Sequence, residues 1–300
     1  MMRVKTLLAS YNGEKYIKDQ INTILIQKNV NVEIVISDDN STDNTFDIVR
    51  SSFPTIPISV NSPGTGSAAK NFLKMVSNLN FEESFEYVAF SDQDDIWLPK
   101  KLSSAIDLLN STNSHLYCSN LTKWDTSNNS YIELKKDFPQ TKFDYLFEGG
   151  SAGCTYVFTK ELAYQFKIFL ESVDYSNWKD LSHDWLVYWF ARLRDFKVMI
   201  DGNSYIEYRL HNENVHGHLN KLNWSAIKEK CSQVLSGYYQ NHAKNYIKYV
   251  PKDSEEYYIY SRFLKGYFSR NYVILKYNIE LMRDKKKFMI FALLNLLKFK

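Results

Sequence analysis

The sequence predicts an α/β protein, a mostly parallel sheet flanked by helices and followed by a helical C-terminal appendage. Three observations carry that expectation. Strand, turn and amphipathic helix alternate from the N-terminus, polar side chains gather just past the ends of apolar strands, and the composition changes near residue 221.

The first strand is Val4–Ala9, closed by Ser10-Tyr11-Asn12-Gly13, after which Tyr16, Ile17, Ile21, Ile24 and Leu25 recur at helical spacing. Val32–Ile36 reads as a second buried strand. It empties into Ser37-Asp38-Asp39-Asn40-Ser41-Thr42-Asp43, with a helix through Phe46, Ile48 and Val49 behind it. Asn40 or Ser41 is the expected N-cap of that helix. Buried strands separated by helices imply right-handed crossovers and a ligand crevice at the carboxyl ends of the strands.

A further strand, Tyr87–Phe90, leads into Ser91-Asp92-Gln93-Asp94-Asp95-Ile96-Trp97. Carboxylates crowded so closely raise one another's pKa, and a divalent cation is the natural compensation. Asp94 and Asp92 are therefore the first metal candidates, while a helix beginning near Pro99 leaves capping open to Asp94 or Asp95. Lys70 and Asn71 follow the loop Gly64–Gly66 at the start of another helix, where a lysine and free backbone N–H groups suit a diphosphate.

A chain of 300 residues, 44% hydrophobic and 16% aromatic, is long and apolar enough for a sizeable core, which excludes a disordered protein. Cys118, Cys154 and Cys231 are far apart and odd in number, so neither a disulfide framework nor a Cys-x-x-Cys metal site is expected. The start, Met1–Lys5, runs straight into the first strand without a signal peptide, and a cytoplasmic setting is expected. Ser-Tyr-Asn-Gly after the first strand disfavours a dinucleotide oxidoreductase, which would carry Gly-x-Gly-x-x-Gly there.

The runs Ala9–Gly13, Ser37–Asp43 and Ser91–Trp97, in this order and spacing, resemble the family 2 glycosyltransferases of the GT-A fold. Ser182-His183-Asp184-Trp185 and Tyr208-Arg209-Leu210-His211-Asn212-Glu213-Asn214-Val215-His216-Gly217 narrow the resemblance to the bacterial rhamnosyltransferase-like branch. The similarity spans roughly residues 3–217. It implies a catalytic domain over 1–220, with a nucleotide-sugar half at about 1–100 and an acceptor half at about 101–220.

What the resemblance implies for single residues is specific. Ala9, Tyr11, Asn12 and Asp39 would bind the nucleotide, Tyr11 stacking on a uracil or thymine and Asp39 accepting a ring N–H, with Asp38 the structural member of its pair. Lys70 and Asp92 would complete that site. Asp94, Asp92 and His211 would hold Mg2+ or Mn2+, and Arg209 with His211 would face the donor diphosphate. Asp184 would be the base for an acceptor hydroxyl, at a helix start where an acid also complements the dipole. Gly153, Cys154, His183 and Trp185 would line the acceptor side. The partners implied are a dTDP- or UDP-linked sugar and a glycan or lipid-linked acceptor, in an inverting, metal-dependent transfer.

The net charge of +3 hides an asymmetry: residues 221–300 hold sixteen Lys and Arg against six Asp and Glu, leaving −7 for residues 1–220. The basic region is helical in pattern and rich in tyrosine. Its end, 285–300, sets a lysine cluster before an apolar run too short to span a bilayer and long enough to lie in the interface. Peripheral attachment to anionic lipids of the inner leaflet is expected, with packing of the tail as helices on the catalytic domain, or against another subunit of a homo-oligomer, as the alternatives. Nucleic acid is not an expected partner, given the acidic catalytic half.

Overall fold

The computed structural model describes residues 1–210 and 234–298. The chain divides into two compact units. Met1–Asp137, Gly150–Asp174 and Ser182–Val215 make the first, and Phe138–Gly149, Tyr175–Leu181 and His216–Lys300 the second. The second unit thus draws two short pieces out of the stretch 1–220.

In the first unit the described strands are β1 (Met2–Ser10), β2 (Val30–Asp38), β3 (Ile58–Val60), β4 (Tyr87–Ser91), β5 (Ile96–Trp97), β6 (Leu116–Asp125), β7 (Ser130–Leu134), β8 (Val157–Thr159) and β9 (Val198–Leu210). They form one sheet in the order β3-β2-β1-β4-β8-β6-β9-β5, with β7 beside β6. β1 lies parallel to β2 and β4, and β2 to β3, in a register that sets Ala9 opposite Ser37 and Leu8 opposite Ser91. Every residue from Val4 to Ser10 is buried, as a strand covered on both faces requires. Beyond β4 the sheet is mixed: β8 is antiparallel to β4 and β6, whereas β9 is parallel to β6.

The helices of this unit are α1 (Ile17–Leu25), α2 (Thr45–Ser52), α3 (Ala68–Ser77), α4 (Lys101–Thr112), α5 (Lys160–Glu171) and α6 (His183–Leu193). Ile17, Ile21 and Ile24 of α1 and Leu102, Ala105 and Leu109 of α4 join Val4, Leu8, Ile34 and Ile36 in one core cluster. The N-cap expected at Asn40 or Ser41 is not one: α2 starts only at Thr45, whose N–H and hydroxyl go to Asp43. Ser41 is already committed, its N–H and hydroxyl both donating to Asp38 at 2.7 and 2.6 Å.

The second unit carries α7 (Tyr238–Tyr246), α8 (Glu255–Leu264), α9 (Tyr267–Tyr277) and α10 (Lys285–Leu297). Phe147 packs among Tyr260, Phe263 and Phe291 at its centre. Buried Arg283 pairs with buried Asp144 at 3.0 Å and Glu148 at 3.4 Å, and Lys287 reaches Glu148 at 3.2 Å. Part of the basic charge is therefore neutralised inside the unit. Among the described residues no helix is long and apolar enough to cross a membrane.

Candidate active site

The parallel register brings the ends of β1, β2 and β4 side by side, and side chains from each loop tie the ends together. Asp38, 1% exposed, accepts from the Ser10 and Ser41 hydroxyls and from the Ser41 N–H. Asn12, at φ +48°, accepts from the Thr42 N–H at 2.8 Å, while its own N–H donates to Ser41. Its side chain is thus engaged in joining two loops, which corrects the expectation that it turns to a nucleotide.

Asp39 is similarly engaged. One carboxylate oxygen accepts from Asn61 and from the Thr65 N–H at 2.6 Å, and the other from the Thr65 hydroxyl and the Gly66 N–H. A carboxylate offers about four lone-pair sites, and four donors fill them. Asp39 here holds the Gly64–Gly66 loop, so a ring N–H would have to displace a loop donor. Ala9 is buried at the end of its strand, whereas Tyr11 is 56% exposed and presents its ring outward. The Lys70 N–H is taken by the Ser67 hydroxyl that caps α3, and so is not free for a diphosphate.

The acids after β4 contrast with those after β2. Asp92 is pushed up to about 7 by burial and by the charges of Asp94 and Asp184. Asp95 is 1% exposed, among the described residues neither of its carboxylate oxygens accepts from a nitrogen or oxygen donor, and burial with Asp94 and Asp92 holds it well above the usual carboxylate range against the weaker pull of the Cys154 thiol. Beside it, the amine of buried Lys101 sits 3.6 Å from the centre of the Trp97 ring, and burial pushes it down to about 7. Lys101 is thus a buried base that feels the Asp95 charge, and Asp92 and Asp94 are half-buried.

Asp92, Asp95 and Cys154 place ligand atoms within 4.8 Å of one another. Burial and the Asp95 and Asp92 charges keep the Cys154 thiol protonated, so its sulfur does not suit a hard cation, whereas the carboxylate oxygens fit Mg2+ or Mn2+. Cys154 is fully buried against Asp95, which corrects its assignment to the acceptor side. Gly153 is corrected too: the space a Cβ would take is filled by His183 Nε2, 2.3 Å from that position. The His183 ring stacks on Phe72 at 4.3 Å and meets Phe90 edge-on, and burial lowers its pKa against the opposing pull of Asp184.

Asp184 lies in the first turn of α6, where Ser182 is the N-cap and Trp185 is buried. Its Oδ1 accepts from the Ser182 hydroxyl and, at 2.8 Å, from the Trp185 N–H. Oδ2 takes no hydrogen bond among the described residues, so the bonds at the helix start leave it open. Arg209 donates from Nε to the Asp94 carbonyl at 3.0 Å, reaches Asp19 at 3.4 Å and is sandwiched between Tyr16 and Trp124. It braces the acidic loop from behind. His211 lies outside the described residues.

Three contributors went unread in the sequence: Lys101, Tyr208, whose hydroxyl is raised by burial and by the Asp95 and Asp92 charges, and Gln93, treated below. Lys101 belongs to no motif, and although Tyr208 opens one, only the fold reveals that either lies beside the acids after β4.

A parallel half-sheet whose strand ends converge on a carboxylate cluster, faced by a further acid at a helix start, defines a GT-A-type sugar-nucleotide site. The profile of glycosyl transferase family 2 matches residues 7–169, and the chain belongs to that family. It is 34% identical over 294 residues to the dTDP-rhamnosyl transferase RfbG of Shigella flexneri, covering 97% of this chain and 99% of that one. It is also 30% identical to the UDP-Glc:alpha-D-GlcNAc-diphosphoundecaprenol beta-1,3-glucosyltransferase WfgD of Escherichia coli, over 60% of this chain and 70% of the relative. The fold matches S. aureus TarS 1-349 in complex with UDP-GlcNAc, with a TM-score of 0.57 at 14% identity over 98% of this chain and 90% of that one. It matches the mannosyltransferase PcManGT of Pyrobaculum calidifontis, in complex with GDP-Man and Mn2+, with a TM-score of 0.54 at 12% identity over 92% and 73%.

Proposed function

We propose that this glycosyltransferase moves L-rhamnose from dTDP-L-rhamnose, with inversion, onto a lipid-linked or growing glycan in cell-surface polysaccharide synthesis. The observation that carries the chemistry is the nearness of Asp184 at the start of α6 to Asp92 after β4, close enough for its charge, with that of Asp94, to raise the Asp92 carboxyl. Similarity to RfbG along almost the whole of both chains supports the donor. Similarity to WfgD supports a second reading, a UDP-hexose donor.

Tyr11 offers an aromatic face to the pyrimidine, beside the buried end of β1 at Ala9. Asp184 Oδ2 accepts the proton of the acceptor hydroxyl as its oxygen attacks the anomeric carbon. The carbon–oxygen bond to the diphosphate breaks on the opposite face, and the nucleoside diphosphate departs with that electron pair. Asp94 and Asp92 would hold Mg2+ or Mn2+, which when bound neutralises the leaving diphosphate. Arg209 fixes the Asp94 backbone, and His183 and Trp185 shape the wall beside Asp184.

The helical unit supplies a membrane contact. Phe268, Tyr272, Leu275 and Ile279 form one exposed row along α9 and the residues after it, and Met289, Leu293, Leu296 and Leu297 form another on α10. Tyr267 and Asn271 hydrogen-bond to Leu296 and Asn295, so the helices run side by side as a hairpin. Apolar rows with exposed Lys276, Lys285 and Lys286 nearby suit an anionic interface.

Transfer assays with dTDP-rhamnose and UDP-glucose, with Mn2+ or EDTA, test the reaction. An anomeric configuration retained in the product, or undiminished turnover in EDTA, refutes the mechanism. Flotation with anionic vesicles should fall at least tenfold for Leu275→Asp/Leu293→Asp, and equal flotation refutes the membrane contact.

A further inference from the structure

The residue between the two candidate metal ligands faces the other half of the site. Gln93 accepts from the Tyr11 N–H at 2.8 Å through Oε1 and donates to the Tyr11 carbonyl at 2.9 Å through Nε2. A primary amide thus pairs with the N–H and C=O of one residue as a neighbouring strand would, satisfying both backbone groups of the residue after β1. Only the absence of a side chain at Gly13 allows this. A Cβ there would lie 2.3 Å from Gln93 Oε1 and 2.6 Å from Cδ, far inside van der Waals contact. Gly13 has no positive φ to explain its glycine, so the contact with Gln93 is its structural reason.

We infer that Gln93 is a positioning residue that fixes the Tyr11 platform to the acidic loop, so that nucleobase and diphosphate are gripped by one rigid assembly. Among the described residues Tyr11 is left 56% exposed. The amide clamp on its backbone sets where the ring lies relative to Asp92 and Asp94. The inference rests on the reading of Tyr11 as the surface that receives the base.

The test compares Gln93→Met, Gly13→Ala and the double variant by calorimetric titration with dTDP and with inorganic pyrophosphate, each with Mn2+. Methionine keeps the length and removes the amide. Alanine at position 13 displaces the flexible end of Gln93 and opens the clamp without touching its chemistry. Both single variants should bind dTDP roughly tenfold more weakly and bind pyrophosphate as the wild type does, because the diphosphate grip is intact. The double variant should be no worse than either single one, since each breaks the same pair.

Wild-type affinity for dTDP in Gln93→Met overturns the inference, as does an equal loss for pyrophosphate, which marks general damage to the acidic loop. Additive losses in the double variant also overturn it. A wild-type protein that binds dTDP no better than pyrophosphate removes the base reading of Tyr11, and the inference with it. That failure is visible before any variant is made.

Discussion

Replacing Asp92 by asparagine should make the metal-free protein more stable while removing its activity. Asp92 in the folded chain is pushed from 3.8 up to about 7, by burial first and then by Asp94 and Asp184. A rise of that size corresponds to about 4 kcal/mol. The side chain is only half-buried, and solvent screening lowers the expected gain to about 2 kcal/mol. The sign follows from linkage. Well below 3.8 the group is protonated in both states and costs nothing. Between about 4 and 7 the unfolded chain loses the proton first, so the folded state loses stability as pH rises, and above 7 the loss is complete.

Asparagine has no proton to lose, so its advantage should be greatest at pH 8 and shrink toward pH 4. In EDTA at pH 8 the melting temperature should rise by about 4–8 °C. Mn2+ should raise the wild type's melting temperature and leave the variant's unchanged. Equal or lower stability of Asp92→Asn at pH 8 in EDTA, or a pH-independent difference, would show that the acidic crowding is not what strains this site.

Two further outcomes bear on the same machinery. Asp184→Asn keeps the Ser182 cap of α6 and should lower kcat by about 10²–10⁴-fold with little change in the donor KM; a kcat within a factor of two of wild type in a steady-state transfer assay refutes the base assignment. Arg209→Lys keeps the charge but loses the planar stack between Tyr16 and Trp124, and titration should show Mn2+–dTDP affinity about tenfold lower; unchanged affinity shows that bracing the Asp94 carbonyl is dispensable.

Much of the catalytic unit was legible in the sequence because its signals are local. Val4–Ala9 and Val32–Ile36 are apolar runs of strand length bounded by turn residues, and both fall within parallel partners. Asp184 could be placed at a helix start because Ser182-His-Asp is a capping sequence, and Ser182 does cap α6. The failures are non-local. Nothing near Asp39 signals that Thr65 and Gly66 fold back onto it, nor near Cys154 that its thiol is sealed behind Asp95. Arg209 is poised beside His211 in sequence, yet tertiary packing sends its guanidinium to Tyr16, Trp124 and the Asp94 carbonyl.

The two acidic clusters show how a hydrogen-bond inventory separates scaffold from site where a motif cannot. Asp38 and Asp39 are adjacent, buried and surrounded by donors from Ser10, Ser41, Asn61, Thr65 and Gly66. Each bond to a charged acceptor is worth about 1.5–3 kcal/mol, so these acids anchor the loops around them. Asp92 and Asp95 have the same chemistry, yet among the described residues buried Asp95 accepts from no nitrogen or oxygen donor at either oxygen, and half-buried Asp92 sits in the field of two more carboxylates. A folded chain keeps such groups only if something outside it completes them, or if a buried base such as Lys101 meets part of the charge. Lys101 lies beside Asp95, whereas Asp92 carries the added charge of Asp94 and Asp184, and it is at Asp92 that a bound cation and a diphosphate would relieve the most repulsion.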